Sequence, residues 1–293
     1  DSHLRGGEQI DWLRRLDQET DNLRAALNWA LAQPDYAEQA ARMALALCWY
    51  WRIRSRVIEG RTWLRRIRQE VIDDRALLAA ITYHAGHFAW MQADYDRAMA
   101  LQEASLSLWQ SLEQPNLVGL ALTRHTMGMA SHHQGDLAAA AAHFQASLDL
   151  FARAEDVWGM AFARQWLGAN CLRLGDVAQA QAHLERGLEL IRPSGDKWVT
   201  SLLLTWLAEL AWQEGELAQA ARYAEEACQL QEAVGHAHSL AVSWQMLAQV
   251  AQKTGDMAAA RRHYRAALNI YEKLGNRPNM TAVQAALDNL PLS

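Results

Sequence analysis

Apolar residues along this chain fall at the three- and four-residue intervals that put side chains on one face of an α-helix. Trp12, Leu16, Leu23, Leu27 and Leu31 make one such stripe within residues 8–33. The breaks between stripes are equally regular. Gly135-Asp136, Gly175-Asp176, Gly215-Glu216 and Gly255-Asp256 follow one another every 40 residues. Each pair is followed at once by a hydrophobic residue, and an alanine stands four residues after the acid: Ala140, Ala180, Ala220 and Ala260. The physical logic is local. Glycine adopts the left-handed conformation that ends a helix. The acid caps the next helix and suits its positive end. The small alanine lets the second helix approach the first. A fixed period in this range predicts a solenoid of stacked helical hairpins.

A second motif keeps the same interval upstream of each turn: Met127-Gly128, Leu167-Gly168, Leu207-Ala208 and Leu247-Ala248. Two weaker copies precede these four. In one, Ala93-Asp94-Tyr95 stands for the Gly-Asp turn, with Gly86 before it and Ala98 after it. In the other, Ser55-Arg56-Val57 is the turn and Gly60 takes the alanine position. These residues resemble the tetratricopeptide (TPR) family, whose signature runs through a large residue, Leu-Gly, Gly-Asp, Ala, an aromatic and Ala. Phe144 and Tyr264 match the aromatic position, whereas Leu184 and Ala224 depart from it. The usual period is about 34 residues, so the longer repeat implies longer helices or linkers. The resemblance implies an all-α, right-handed superhelical solenoid of antiparallel hairpins. Residues 1–36 read as an N-terminal linking helical segment, 37–275 as six TPR-like hairpins and 276–293 as a C-terminal capping helix that covers the last apolar face.

The stretch from Trp12 to Leu31, together with Trp49-Tyr50-Trp51 and Glu59-Gly60-Arg61-Thr62-Trp63-Leu64, is similar to the region after the winged helix in STAND-type signalling ATPases, including the large ATP-binding LuxR-type transcriptional regulators. That resemblance implies a sensor region that binds an inducer and controls an upstream ATPase domain and an output domain. Neither is encoded here: no Gly-x-x-x-x-Gly-Lys-Ser/Thr segment occurs. The chain starts Asp1-Ser2-His3 and reads as a fragment of a longer protein. The alternative function is a general protein–protein interaction scaffold that binds a peptide or helix in its concave groove.

In tetratricopeptide arrays the first helix of each hairpin lines that groove. By register, the resemblance assigns to it Trp49, Arg52, Tyr83, His87, Trp90, His125, Met129, His132, Gln165, Arg173, Glu209 and Trp212. Flat aromatics and neutral hydrogen-bonding groups dominate this set. Aromatic faces suit apolar groups, sugar rings and cations. The same aromatics also fit a second reading, packing between neighbouring helices. The family's lysine and asparagine clamp for a terminal carboxylate is absent, because Tyr83, His87, His125 and Met129 stand at its positions. His84 and His87 point about 60° apart on one helix by the helical repeat, with no acid between them, so no metal site is expected.

One charge cluster stands out. Arg52, Arg54, Arg56, Arg61, Arg65, Arg66 and Arg68 lie within 17 residues, opposed only by Glu59. It reads either as a solvated helix face or, for Arg54, Arg56, Arg61, Arg65, Arg66 and Arg68, as a docking face for an acidic partner or for the ATPase domain. The chain as a whole carries a net charge of −5, which argues against nucleic acid as a partner. Three cysteines without a CxxC pair indicate neither a disulfide framework nor a zinc site. No signal peptide or membrane-spanning run is present, so the sequence reads as cytoplasmic. No nucleophile elbow, metal-protease motif or phosphate loop occurs. The reading is therefore a non-catalytic domain with no cofactor, whose partner is a protein, a peptide or a small-molecule inducer.

Overall fold

The computed structural model describes residues 2–68 and 73–291. Among these, all regular structure is helical. Two short helices come first, α1 (Gln9–Gln18) and α2 (Thr20–Leu31). Six hairpins follow: α3 (Ala37–Ile53) with α4 (Val57–Ile67), α5 (Arg75–Trp90) with α6 (Tyr95–Gln110), and α7 (Leu117–Gln134) with α8 (Leu137–Arg153). The last three are α9 (Val157–Leu174) with α10 (Val177–Ile191), α11 (Lys197–Gln213) with α12 (Leu217–Val234), and α13 (Ala237–Thr254) with α14 (Met257–Leu274). Helix α15 (Arg277–Asp288) packs on α14 and buries Val283. Successive first helices α3, α5, α7, α9, α11 and α13 touch one another along the inner side of a solenoid. The segment read as 8–33 divides at Glu19, where the backbone leaves helical geometry and the Thr20 hydroxyl donates back to Leu16 O at 3.0 Å. Residues 69–72 of the hairpin region and 292–293 of the capping segment lie outside the described residues.

The extra length of the repeat lies in the helices. From α7 to α14 they run 15 to 18 residues. The turns remain tight and alike. Gly135 and Gly175 have φ of 89° and 77°. The next amide then bonds back across the turn, Asp136 N to Ser131 O and Asp176 N to Cys171 O, each at 3.0 Å. This is the six-residue closure that satisfies the last carbonyls of a helix. The aspartates then cap α8, α10 and α14 by accepting from Ala139, Gln179 and Ala259 amides. Glu216 holds the same place without capping. Tight contact between paired helices needs small residues: a methyl group on Gly168 would meet Leu184, and one on Gly128 would meet Phe144.

The two degenerate turns keep this geometry without glycine. Ser55 and Ala93 sit at φ of 56° and 60°, and the closing bonds run from Arg56 N to Trp51 O and from Asp94 N to Ala89 O. A second series of left-handed residues joins one hairpin to the next: Glu155, Gly195, Gly235 and Gly275, again 40 apart. Its followers Asp156, Asp196 and Asn276 cap α9, α11 and α15.

The solenoid closes on itself. Helix α1 lies against α12 of the fifth hairpin. The buried Gln9 side chain donates to Leu4 O at 2.8 Å and to Asp196 Oδ2 at 3.4 Å, and its Oε1 accepts from Trp198 N at 3.0 Å. Asp196 also accepts from Trp158 Nε1 at 2.9 Å. From the first hairpin, Arg54 donates to Val234 O at the end of α12 at 2.6 Å. These links join residues 180 to 189 positions apart in the chain.

A non-glycine residue held in the left-handed region costs about 1 kcal/mol. Ala93 is exposed, so its side chain contributes little packing. Ala93→Gly is expected to raise stability by about 1 kcal/mol less the added entropy of the unfolded chain, and Gly175→Ala to lower it by about the same amount. Urea unfolding of the two variants checks this; equal midpoints would exclude strain at Ala93.

Candidate functional site

Closure brings inner helices from distant hairpins into direct contact. Trp49 of α3 meets Trp158 of α9 edge to face at 5.1 Å between centroids, and Trp198 of α11 at 5.7 Å. Phe162 stacks on Trp158 at 5.0 Å. Offset and edge contacts of this kind are the favourable aromatic geometries. Two arginines are threaded through the cluster. Arg5 lies 4.1 Å over Trp158, facing Asp156 at 3.6 Å. Arg52 lies 4.0 Å over Trp49 and is only 3% exposed. Its Nη1 donates to the Tyr83 hydroxyl at 3.2 Å, while its Nε is buried without a partner.

Beside this cluster runs a cavity of about 1490 Å³. Its wall takes Arg52 from α3, His87 and Trp90 from α5, and Met129 and His133 from α7. It continues through Phe162, Gln165 and Trp166 of α9, Trp198, Leu202, Thr205 and Trp206 of α11, and His238, Ser239 and Val242 of α13. Asn276 and Asn279 also line it, as do Asp17, Arg24, Arg56, Glu59 and Arg66.

Of the residues assigned to the groove by register, Arg52, His87, Trp90, Met129 and Gln165 line the cavity. The others lie elsewhere. Trp49 and Tyr83 are packed in the aromatic cluster. His125 stacks on Phe162 at 4.3 Å. His132 bonds Asn170 at 2.9 Å, and Arg173 donates to His132 O at 2.8 Å. Glu209 accepts from Gln213, and Trp212 packs with the α11–α12 apolar cluster. The physical reason is an oblique groove. In α3 and α5 the lining comes from the C-terminal end of the helix, in α9 from the middle, and in α13 from the first turns. A single register carried through every repeat follows the helices, whereas the groove crosses them. Phe162, Leu202 and Val242, and likewise Trp166 and Trp206, stand 40 apart, so the period could have located them once one was known.

The arginine run also divides. Arg54 and Arg56 turn inward to Asp17 at 2.6 and 3.2 Å, joining the first hairpin to α1. Arg66 stacks 4.8 Å over Trp63 and donates to Asn28. Arg61, Arg65 and Arg68 surround a separate hollow of about 210 Å³ with Arg97 and Asp94. Glu59, on the same helix, is taken by Arg24 at 2.7 Å. Among the described residues, no group of three or more His, Cys, Asp or Glu side chains could hold a metal ion, and no helix is long and apolar enough to cross a membrane.

The family model of the MalT-like TPR region matches residues 79–287. No curated protein matches the sequence. Solved structures share the fold at low identity. A Rap protein complexed with competence and sporulation factor is 13% identical, covering 90% of this chain and 80% of its own, with a TM-score of 0.68. The Rap conjugation gene regulator of plasmid pLS20, in complex with the Phr* peptide, is 13% identical over 87% of this chain and 78% of its own, with a TM-score of 0.60. The anaphase-promoting-complex assembly of Cut9 and Hcn1 reaches 18% identity over 96% of this chain and 48% of its own, with a TM-score of 0.68.

Histidines are concentrated around the cavity and held neutral. Burial lowers His125 and His236 to about 3, and the Arg52 charge adds to the effect at both. Burial, then His132 and Arg173, lowers His133 to about 4. His84 and His87 are driven well below their ordinary range by burial first and by Arg52 second. The unfolded chain takes up these protons near pH 6.5, and the folded chain refuses them. Their neutral form is therefore no handicap to folding above about pH 6.5, and acid below that value favours unfolding. The urea midpoint is expected to fall steadily from pH 6.5 towards pH 4, and His133→Gln to make that fall shallower. A midpoint constant across the window would show that these imidazoles titrate freely.

Proposed function

The chain belongs to the MalT-like TPR family, and from that premise we propose that it is a binding domain that takes an extended peptide segment along its concave cavity. The size and lining of the cavity carry this reading. Its volume of about 1490 Å³ exceeds the roughly 300–1,000 Å³ of small-molecule pockets. Six inner helices and α15 contribute to one continuous wall. That wall alternates aromatic faces with neutral hydrogen-bonding groups such as Gln165, Thr205, Ser239 and Asn279. Aromatics supply contact area at low entropic cost, and the amides and hydroxyls suit the peptide backbone, which presents a donor and an acceptor at nearly every residue. The pLS20 Rap regulator, solved with a peptide, supports the same use of this fold.

A display library of random decapeptides panned against the chain tests it. Enriched peptides should lose about thirtyfold in affinity on Trp206→Ala, the effect of removing an aromatic anchor of about 2 kcal/mol. Val242→Trp, which narrows the cavity at α13, should also weaken binding. Peptides unaffected by either substitution would place the binding surface elsewhere.

A finer reading makes this domain the sensor of a STAND-type regulator, acting on an upstream ATPase domain. One observation favours it: the N-terminal segment that would lead back to such a domain lies across the solenoid against α11 and α12, and α1, α2 and the first hairpin contribute Asp17, Arg24, Arg56 and Arg66 to the cavity lining. Occupancy of the cavity then acts directly on the connection. The coding sequence upstream of Asp1 decides the matter. An open frame without a phosphate-loop motif there would overturn the sensor reading and leave the peptide-binding one intact.

A further inference from the structure

Arg52 is a cation in an unusual position. It is 3% exposed, and among the described residues no carboxylate lies within 4.0 Å of it. The nearby acids are committed to other groups. Asp156 faces Arg5 and caps α9, and Asp196 accepts from Gln9, Trp158 and the Val199 amide. One of Arg52's terminal nitrogens donates to Tyr83. The other makes no hydrogen bond within the described chain, and the residue is part of the cavity wall. Charged side chains are almost never fully buried unless paired, and an unpaired buried cation costs folding energy. A group that destabilises the empty protein and sits at the wall of its main cavity is suited to pair with a ligand.

We propose that Arg52 is the anchor of a carboxylate subsite at the α3 end of the cavity. This deepens the peptide-binding reading and rests on it only for the identity of the body attached to the carboxylate. The charge count limits the ligand to a single negative charge. Arg5, the other cation in the cluster, is already opposed by Asp156, so one positive charge is left to balance. The planar guanidinium presents a donor fork that matches a carboxylate. It is held by the Trp49 face at 4.0 Å, with Trp198 at 5.5 Å and Phe162 at 5.6 Å. These rings select for an apolar or aromatic group next to the charge. A peptide ending in a hydrophobic residue with a free C-terminus fits, as does a small aryl acid. Arg52 is not one of the family's carboxylate-clamp positions, which hold Tyr83, His87, His125 and Met129.

The test compares matched probes that differ only in the negative charge. N-acetylphenylalanine and its neutral amide are titrated against the full chain at neutral pH, alongside a hydrophobic hexapeptide pool synthesised with free or amidated C-termini. The acids should bind at least about tenfold more tightly than the amides, the value of one charge-assisted hydrogen bond. In Arg52→Met, which keeps the volume and removes the charge, that preference should vanish while the thermal midpoint rises. Arg52→Lys should retain part of the preference, because it keeps the charge and loses the fork. If Arg52→Met keeps the acid preference, or lowers the thermal midpoint, the subsite is overturned and Arg52 is a structural group. If amidated and free peptides bind equally well, the subsite fails while the peptide groove stands. If the small acid binds and no peptide does, the groove reading fails and the carboxylate subsite stands.

Discussion

The buried amide of Gln9 and the carboxylate of Asp196 hold the N-terminal segment of this molecule against its fifth hairpin. Gln9 is fully buried, and both ends of its amide are used, towards Leu4, Asp196 and Trp198. Asp196, 1% exposed, caps α11 and accepts from Trp158 as well. Burial pushes its carboxyl above the ordinary range, and the donors around it oppose that shift. A buried polar network of this kind is stable only when its members are satisfied. Everything characteristic of the site follows from it. Without the closure, Trp49 would not reach Trp158 and Trp198, and Arg5 would have no aromatic slot to occupy. The concave face would be an open trough rather than a walled chamber.

The hairpins were legible because their determinants are local. A left-handed turn, a capping acid and a small residue at the helix contact recur every 40 residues, and each acts within a few positions of itself. Even the glycine-free turns at Ser55 and Ala93 could be placed by their neighbours. The second turn series was missed because its first member is Glu155, which hides the left-handed position, and because its third and fourth members are followed by His236 and Asn276 in place of an acid. The closure was not legible at all. Nothing in the local pattern of Leu4, Gln9 or Asp196 points to a partner nearly two hundred residues away.

The same division explains the site. Inner helices could be told from outer ones, so five of the twelve residues chosen by register do reach the cavity. The direction in which the cavity crosses those helices depends on the rise and curvature of the whole superhelix, which no single repeat encodes. Trp49 and Tyr83 illustrate the result: they stand on inner helices, yet aromatic neighbours bury them away from the cavity. Arg54 and Arg56 show it for charge. A run of arginines reads as one basic face, but the ring geometry gives two of them an aspartate on α1.

Closure also changes how such a chain must fold. An ordinary repeat array is quasi-one-dimensional: each unit depends on its neighbours, and order spreads from any starting point. Here the Gln9–Trp198 and Arg54–Val234 links impose contacts of very long sequence separation on an otherwise local fold. Such contacts are slow to form, because the loop they close must be ordered first. On a ribosome, α1 emerges long before its seat on α11 and α12 exists. The first hairpins then wait with their aromatic faces uncovered until the fifth hairpin arrives, and the chamber is completed only when α13 and α15 add their part of the wall.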